Sequence, residues 1–287
     1  MANYLSIDIG GTFIKYALLN EKQELVSRQK TPTKENIDQA IAKQVEAIVS
    51  DYSSRNKLSG IGISTAGIVN RDQGEIAYAG PTIKDYRGTN FKKTLAAFDL
   101  PVHVENDVNA ALLGERWKGA AAGEDNVFCI TLGTGIGGAW FDGGLLDGAH
   151  FQANSVGYLL YERDTQTNFE MRASTSALNH MINSKFGNDM TAKEVFKQAK
   201  QGDGPCETIL SDWTREIAAG LAQIILIADP GCIIIGGGVS AQGAYLLEYI
   251  QKHIPAFLPE GFMKTDIRIA QLYNDAALYG AVYPFFK

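Results

Sequence analysis

Cysteine is scarce in this sequence, and its spacing excludes two kinds of site. The 287 residues contain only three cysteines, Cys129, Cys206 and Cys232, which lie far apart and form no Cys-x-x-Cys pair. A disulfide framework needs paired cysteines, and a cysteine zinc site needs closely spaced ones. We therefore expect neither, and the scarcity indicates a reducing compartment.

The sequence also lacks a basic excess and a long apolar run. Lysine and arginine number 26 against 32 acidic residues, a net charge of −6, so we expect no nucleic-acid partner. The most apolar stretch, residues 221–235, is interrupted by Gln223, Asp229 and Pro230, and no run approaches the roughly 18 residues of a membrane span. The first residues lack the basic segment of a signal peptide. We therefore expect a cytoplasmic protein without a membrane partner.

Glycine, by contrast, is abundant. The chain has 30 glycines, whereas the usual frequency of about 7% would give roughly 20. Glycine is needed where the backbone bends sharply or approaches a ligand closely. Three clusters, at residues 10–11, 133–138 and 236–238, each follow a predicted strand. The excess therefore points to loops that could bind a ligand.

Predicted strands alternate with predicted helices along the chain. Sequence patterns predict strands at residues 4–9, 13–19, 25–29, 60–65, 102–105, 127–132, 232–235, from 139 and near 267. Helices are predicted over residues 35–52, from 106, across most of 168–229, through 245–250 and from 275. A strand, a Gly-rich turn and a second strand open each half, so two similar α/β domains are expected to face each other across a cleft.

A run of small residues marks the predicted boundary between the two domains. Residues 119–123 read Gly-Ala-Ala-Ala-Gly and lack the apolar periodicity of a helix or strand. Such segments are typical of domain boundaries. We therefore place a smaller N-terminal domain at residues 1–118 and a larger C-terminal domain at residues 119–273.

The Gly-rich segment 133–138 is predicted to be a turn between two strands. It fits the spacing of a dinucleotide-binding motif, but that motif needs a helix directly after it, and Ala139-Trp140-Phe141 predicts a strand. No Gly-Lys-Ser/Thr sequence of a P-loop occurs. The turn is either a tight hairpin or a cradle of backbone N–H groups for phosphate. Two related loops and a third glycine cluster favour nucleotide binding.

Three side chains near these loops suit the chemistry of phosphate groups. The hydroxyl groups of Thr12 and Thr134 can donate hydrogen bonds to phosphate oxygens. Asp8, at the end of the first predicted strand, would repel phosphate directly. Its carboxylate is suited to hold a hydrated Mg²⁺ that bridges the phosphates.

Four motifs occur in an order that resembles one protein family. They are DIGGT at residues 8–12, ENDVNAA at 105–111, LGTGIGG at 132–138 and IGGGV at 235–239. Together they resemble the ROK family of sugar kinases and repressors, within the actin–hexokinase–Hsp70 superfamily, over nearly the whole chain. The resemblance implies two ribonuclease H-like (actin-like ATPase) α/β domains flanking a cleft for sugar and ATP. It also implies a homodimer, and a last helix, about residues 274–287, that packs on the N-terminal domain.

The resemblance implies a role for each residue that matches a family motif. Asp107 matches the catalytic base, while Asn106 and Gly67 match sugar-binding residues. The matches to the ATP site are Asp8, Gly10, Gly11, Thr12, Lys15, Thr131, Gly133, Thr134, Gly135, Gly236, Gly237 and Gly238.

The chemistry of Asn106 and Asp107 agrees with these roles. Phosphoryl transfer from ATP needs positioning, charge neutralisation and a base for the attacking hydroxyl. A carboxylate at a helix start can accept that proton, and the neighbouring amide can bind a second sugar hydroxyl. Asn and Asp also favour helix N-termini for capping alone, and capping and catalysis are compatible.

The sequence departs from the family pattern at three sugar-pocket positions. Ser155 and Tyr158 stand where many relatives have a glutamate and a zinc-binding histidine, and Thr82 stands where they have an asparagine. The cysteines of the family zinc site are also missing, so we expect no structural zinc. The shorter Ser155 opens space, and Tyr158 either offers a ring for stacking or packs in the core. We therefore hypothesise a pocket for a disaccharide or a β-glucoside.

The sequence thus predicts an ATP- and Mg²⁺-dependent kinase that phosphorylates the 6-hydroxyl of a hexose or β-glucoside. An N-acetylmannosamine kinase or a glucokinase of the same family is the alternative. A sugar-sensing regulator is a further alternative, but only seven residues precede Asp8, too few for a DNA-binding domain. A binding protein that has lost catalysis is disfavoured because Asp8, Asp107 and the threonine-bearing loops are all present.

Overall fold

A computed structural model describes residues 2–80 and 83–287, which form two compact units. Unit 1 comprises Met1–Gly123, Asp147–Ala153 and Asn274–Lys287, and unit 2 comprises Glu124–Leu146 and Asn154–Tyr273. The segment 147–153 therefore belongs to unit 1, although unit 2 residues flank it on both sides. The domain limits inferred from the sequence stay a prediction, and each unit is described by itself.

Strands and helices alternate, which confirms the predicted mixed α/β class. The strands are β1 (Asn3–Ile9), β2 (Phe13–Leu19), β3 (Leu25–Pro32), β4 (Leu58–Thr65), β5 (Ile68–Asn70), β6 (Glu75–Tyr78), β7 (Val102–Asn106), β8 (Asn126–Leu132), β9 (Ile136–Asp142), β10 (Cys232–Gly236) and β11 (Asp266–Ile269). The α-helices are α1 (Ala40–Arg55), α2 (Phe91–Thr94), α3 (Asp107–Lys118), α4 (Phe169–Ala173), α5 (Thr175–Phe186), α6 (Ala192–Ala199), α7 (Gly204–Ala228), α8 (Ala244–His253) and α9 (Ala276–Val282). Within the described residues, no helix combines the length and the apolar character needed to cross a membrane.

The main sheet of unit 1 brings the ends of three strands to one edge. Its strand order is β3-β2-β1-β4-β7, and β1, β4 and β7 run parallel. At their carboxyl ends Ile9 lies beside Thr65, and Thr65 lies beside Asn106. Because ligands of open α/β sheets bind at the carboxyl ends of strands, this edge is where a site is expected.

The two faces of this sheet are covered by different helices. Leu5 and Ile7 of β1 are fully buried in a core that includes Ile41 and Val45 of α1. Ser6 lies between them in β1 and points to the opposite face of the sheet. Its hydroxyl donates a 2.6 Å hydrogen bond to the carbonyl oxygen of Leu278 in α9. Side chains alternate between the faces of a strand, so β1 joins both layers.

Glycines allow α9 to lie very close to its neighbours in unit 1. A Cβ atom at Gly280 of α9 would overlap the carbonyl oxygen of Ala110 in α3. A Cβ at Gly114 of α3 would in turn overlap the carbonyl oxygen of Ala276 in α9. The backbones of α3 and α9 are therefore in direct contact, and α3 is the helix that begins with Asp107.

Unit 2 is built on a second, four-stranded sheet. The strand order is β11-β10-β8-β9, with β8, β10 and β11 parallel and β9 antiparallel to β8. The 25-residue helix α7 contributes many buried side chains to the core of unit 2, and Trp213 is one of them. The ring nitrogen of Trp213 donates to the carbonyl oxygens of Ala173 and Ser174. Thr131 of β8 pairs with Gly236 of β10, so two of the predicted phosphate loops begin side by side.

Two sequence predictions of local structure are wrong in detail. The predicted helix over 35–52 begins as an α-helix only at Ala40, because Asp38 and Gln39 adopt left-handed backbone conformations. Ile37, which lies inside the predicted range, precedes the α-helix and is 65% exposed. The predicted turn at 133–138 is also too long, since β9 already begins at Ile136 and pairs with Leu132.

Candidate active site

Two carboxylates, Asp8 and Asp107, lie near the strand-end edge of unit 1. Asp8 is the penultimate residue of β1, and Asp107 opens α3 directly after β7. The negative charge of Asp8 acts on Asp107, where it raises the pKa. The structure thus places the predicted metal-binding acid and the predicted base within electrostatic reach of each other.

Asp8 is held by two neighbours. Its Oδ1 accepts a 3.0 Å hydrogen bond from the hydroxyl of Ser64, and its Oδ2 lies 3.5 Å from the ammonium of Lys15. Lys15 also donates to Oδ1 of Asn274 at 3.2 Å. Burial raises the pKa of Asp8, and the contacts with Lys15 and Ser64 oppose this effect. Ser64 and Asn274 are contacts that the sequence motifs did not reveal.

The rest of the first glycine motif forms the hairpin between β1 and β2. The N–H of Gly10 donates to the carbonyl oxygen of Phe13 at 3.0 Å, and the carbonyl oxygen of Gly10 accepts from the Thr33 hydroxyl at 2.6 Å. Gly11 and Thr12 at the tip are exposed. The motif is therefore a hairpin, and its tip is free to meet a ligand.

Asn106 caps α3 and also touches the predicted base. Its Oδ1 accepts from the backbone N–H groups of Val108 and Asn109 at 2.9 and 3.1 Å. Its Nδ2 donates to Oδ1 of Asp107 and to the carbonyl oxygen of Gly67, both at 2.9 Å. Capping and contact with Asp107 are therefore combined in one amide.

Gly67 can present its carbonyl oxygen to Asn106 because it has no side chain. Its φ is +99°, and an added Cβ would lie 2.5 Å from the carbonyl oxygen of Tyr78. Both the left-handed backbone and the close approach favour glycine at this position. The structure therefore brings Gly67, Asn106 and Asp107 together.

The carboxylate of Asp107 is held through one of its two oxygens. Oδ1 accepts from Nδ2 of Asn106 at 2.9 Å and from the backbone N–H of Val108 at 3.0 Å. Burial, followed by the charge of Asp8, raises the pKa of Asp107 to about 6. A raised pKa makes a carboxylate a stronger base at neutral pH than an ordinary aspartate.

The raised pKa of Asp107 predicts how turnover depends on pH. If Asp107 is the base that its motif predicts, only its deprotonated form can accept the proton, so we expect activity to be lost as pH falls through about 6, whereas an ordinary aspartate would titrate near 3.8. Below that pH, we expect kcat/KM to fall about tenfold per unit. Steady-state rates between pH 4.5 and 8 check this, with circular dichroism as the control for folding. A constant rate down to pH 4.5 would contradict the assignment.

In unit 2, the second glycine loop is supported by two helices. Glu170 of α4 accepts from the N–H of Ile136 at 3.2 Å, and a Cβ at Gly135 would lie 2.6 Å from its Oε2. The N–H of Thr175, at the start of α5, donates to the carbonyl oxygen of Gly133 at 2.9 Å. Thr134 at the tip is exposed. Glu170 and Thr175 were not identified from the sequence because they lie far along the chain from the loop.

The third glycine cluster lies against this loop. Gly236 ends β10 beside Thr131, and Gly237 follows with a φ of +91°. A Cβ at Gly237 would overlap the backbone of Leu132, so only glycine fits there. A Cβ at Gly238 would meet no atom within 4 Å. The structure therefore brings the second and third predicted phosphate motifs together within unit 2.

The predicted sugar-binding residues of unit 2 are exposed. Ser155 precedes a short 3₁₀ turn, Val156–Tyr158, and its side chain is accessible. Tyr158 is 61% exposed, so it does not pack in the core. The third predicted position, Thr82, lies outside the described residues.

Arg172 fastens the segment that follows Tyr158. Its guanidinium donates to the carbonyl oxygen of Leu160, to the hydroxyl of Thr167 and to Oε2 of Glu216, each at 2.9 Å. Three charge-assisted bonds in a rigid fork fix a loop effectively. This segment is the one in which the sequence predicts no structural zinc.

We expect purified protein to carry no stoichiometric zinc, because the segment is held by Arg172 and lacks cysteine. Elemental analysis tests this directly. We also expect a chelator to leave the thermal midpoint unchanged, while Arg172→Ala lowers it. About one zinc per chain, or unfolding by a chelator, would contradict the prediction.

Comparison with known proteins supports the family resemblance that the sequence motifs indicate. The sequence model of the ROK family matches residues 4–286. A beta-glucoside kinase of Listeria monocytogenes is 30% identical to this chain and aligns over 98% of it and 97% of that protein.

Two solved structures are similar over nearly the whole chain. A ROK family glucokinase from Streptomyces griseus, in complex with glucose and AMPPNP, is 31% identical with a TM-score of 0.81 and covers 97% of both chains. A ROK family protein from Streptococcus pneumoniae, in complex with sucrose, is 29% identical with a TM-score of 0.87 and covers 99% of this chain and 98% of that chain. The predicted actin-like ATPase fold is confirmed by these likenesses.

Proposed function

The chain belongs to the ROK family and is an ATP-dependent sugar kinase, and from this we propose that Asp107 is its catalytic base. The observation that carries the assignment is the environment of Asp107. It is a carboxylate with a raised pKa at a helix start, held through one oxygen by Asn106 and Val108. A base poised in this way suits the activation of a hydroxyl group at neutral pH.

The two oxygens of Asp107 have different roles in this proposal. Oδ1 already accepts two hydrogen bonds, so Oδ2 is the oxygen that accepts the proton of the sugar hydroxyl. The deprotonated sugar oxygen then attacks the γ-phosphorus of ATP, and the bond to the β,γ-bridging oxygen breaks. ADP leaves with the electron pair, and the proton stays on Asp107 until the sugar phosphate departs.

Asp8 is the residue that would hold Mg²⁺. Its carboxylate is a hard oxygen donor, its Oδ2 lies 3.5 Å from Nζ of Lys15, and its charge repels that of Asp107. A cation at Asp8 would relieve this repulsion, so the residues fit the ion. Mg²⁺ keeps most of its waters and neutralises phosphate charge when it is bound. Asp8 would hold the ion, and Ser64 orients the carboxylate of Asp8.

The exposed glycine loops are the proposed contacts for ATP. Gly11 and Thr12 at the tip of the β1–β2 hairpin, and Thr134 at the tip of the β8–β9 turn, offer backbone and hydroxyl donors to phosphate. Gly238, where an added Cβ would meet no atom within 4 Å, is the proposed neighbour of the adenosine. Because the co-substrate is ATP, we propose that the protein acts in the cytoplasm; we also propose that it forms a homodimer, which light scattering can test.

We propose that the sugar is a β-glucoside or a disaccharide with a free 6-hydroxyl. Ser155 is short and exposed, and the ring of Tyr158 is accessible for stacking against a second sugar ring. Two related proteins support the choice of class, since one is named a beta-glucoside kinase and another was solved with sucrose.

The substrate class is tested with an ADP-release assay over several sugars. We expect cellobiose and an aryl β-glucoside to give a kcat/KM at least about tenfold above those of glucose and N-acetylmannosamine. Tyr158→Ala should reduce this preference by raising KM for the two-ring substrates, whereas Phe262→Ala, which removes another exposed ring of unit 2, should not. If glucose or N-acetylmannosamine is the best substrate, the wider-pocket hypothesis is wrong and the kinase assignment stands.

A further inference from the structure

A buried glutamate lies directly before the two residues of the proposed active site. Glu105, at the end of β7, is 1% exposed. Its Oε1 accepts from the backbone N–H of Asn106 at 2.9 Å and from Nδ2 of Asn109 at 3.0 Å. Asn106 and Asn109 lie on either side of Asp107 in the chain. One carboxylate oxygen therefore ties together the strand end and the first turn of α3, between which the base is placed.

The other oxygen of Glu105 faces a cation. Its Oε2 lies 3.4 Å from Nε of Arg71, which also forms an ion pair with Asp147. Among the described residues, Oε2 has no hydrogen-bond partner, so the contact with Arg71 is electrostatic. Arg71 follows β5 and reaches β7 from a different part of the unit. The pair therefore links two segments that are distant in sequence.

His103 is near this pair but does not supply the positive charge. Its Nε2 lies 3.9 Å from Oε2 of Glu105. Burial, together with the charges of Arg71 and Lys92, lowers the pKa of His103 to about 4, so the ring is neutral at physiological pH. Arg71 is therefore the cation that balances the buried carboxylate of Glu105.

We propose that Glu105 and Arg71 are positioning residues that hold Asp107 in its reactive orientation. Glu105 fixes Asn106 and Asn109 around the base. Burial raises the pKa of Glu105, and the positive charge of Arg71 opposes this effect and holds the carboxylate in place. Neither residue touches substrate. The proposal rests on the assignment of Asp107 as the base, and it explains why a buried carboxylate, paired with a partly buried arginine, lies next to the base. A displacement of about 1 Å at a reacting group can cost about a hundredfold in rate.

A purely structural role for the pair is the competing explanation. Removing one partner of a buried ion pair leaves an uncompensated charge and destabilises the fold wherever the pair lies. Such a loss would reduce the fraction of folded enzyme, but it would leave the kcat of the folded molecules unchanged. A positioning role instead reduces kcat itself and leaves the KM for ATP nearly unchanged.

The test uses Arg71→Met, Glu105→Gln and the double variant, with Arg55→Met, at an exposed surface pair, as the matched control. We expect R71M to lower kcat about 10- to 100-fold, with the KM for ATP within about twofold. R71M/E105Q should recover most of the loss, because the glutamine oxygen still accepts from Asn106 and Asn109 and the buried charge at residue 105 is gone. Equal losses in R71M and the double variant, or an unchanged kcat in R71M, would overturn the proposal. Rates are normalised to the folded fraction measured by thermal unfolding.

A second comparison separates this proposal from the assignment of the base. A positioning residue acts through Asp107, so Glu105→Ala, which removes the acceptor of the Asn106 and Asn109 hydrogen bonds, should lower kcat in the wild-type background but cause little further loss in an Asp107→Asn background. If D107N turns over normally, the base assignment fails. If D107N is strongly impaired and E105A still lowers its residual rate by the same factor as in the wild type, the positioning role fails and the base assignment stands. This comparison does not need R71M, so it remains decisive if that variant does not fold.

Discussion

Replacing Asp107 by asparagine is expected to slow phosphoryl transfer by about 100- to 10,000-fold, because general-base catalysis contributes an acceleration of that size. The change keeps the shape of the side chain, and the amide oxygen can still accept from Asn106 and Val108. Folding and ATP binding should therefore be preserved. Single-turnover rates with saturating ATP and sugar measure the loss, and a fluorescent ATP analogue measures nucleotide binding.

Asp189→Asn is the control for this experiment. Asp189 is exposed and lies in a short 3₁₀ turn of unit 2, so its replacement should change neither rate nor binding. Turnover by D107N within about threefold of the wild-type rate would show that another group accepts the proton. The same result would remove the basis for assigning positioning roles to Glu105 and Arg71.

Replacing Gly280 by alanine is expected to destabilise unit 1 by at least about 3 kcal/mol, at the upper end of what overpacking costs. The new Cβ would overlap the carbonyl oxygen of Ala110, which is backbone and cannot rotate away. The two helices must therefore separate, and the contacts that Trp117 makes with Tyr279 would be lost. Thermal unfolding and amide exchange in α9 measure the effect.

Gly204→Ala is the matched control for the packing argument. Gly204 is the first residue of α7, and a Cβ there would meet no atom within 4 Å. Alanine should therefore be neutral at Gly204, while Gly114→Ala should be as harmful as Gly280→Ala. Equal stability of all three variants would show that α3 and α9 do not pack as closely as described. Activity should fall with stability in G280A, because α3 carries Asp107.

Much of the secondary structure could be predicted from the sequence because its causes are local. Asn106 marks the start of α3, since its side chain caps the helix with bonds to the next residues. The boundary error at Ala40 has a different cause. The apolar spacing of 35–52 is helical throughout, but the left-handed backbone of Asp38 and Gln39 has no signature in that spacing. The error shows the limit of periodicity as evidence.

The family motifs could place the site but not the contacts that support it. Asp8 and Asp107 were identified by motif, and their electrostatic proximity depends on the parallel pairing of β1, β4 and β7. The ion pairs of Arg71 with Glu105 and Asp147 join three distant points of the chain, and no local sequence pattern indicates them. The same holds for Glu170 behind the second glycine loop. Long-range partners of this kind become visible only in the folded chain.

The position of α9 has a consequence for the order in which the protein is made. Residues 274–287 belong to unit 1, yet the ribosome adds them after all of unit 2. Domains tend to fold as units while the chain emerges. Unit 2 is therefore synthesised before α9 exists, whereas the face of the unit 1 sheet that receives α9 stays uncovered until the last residues have been added. The part of the chain that is synthesised first is therefore the last to be complete. Its uncovered sheet face is the surface that a chaperone at the ribosome would shield longest.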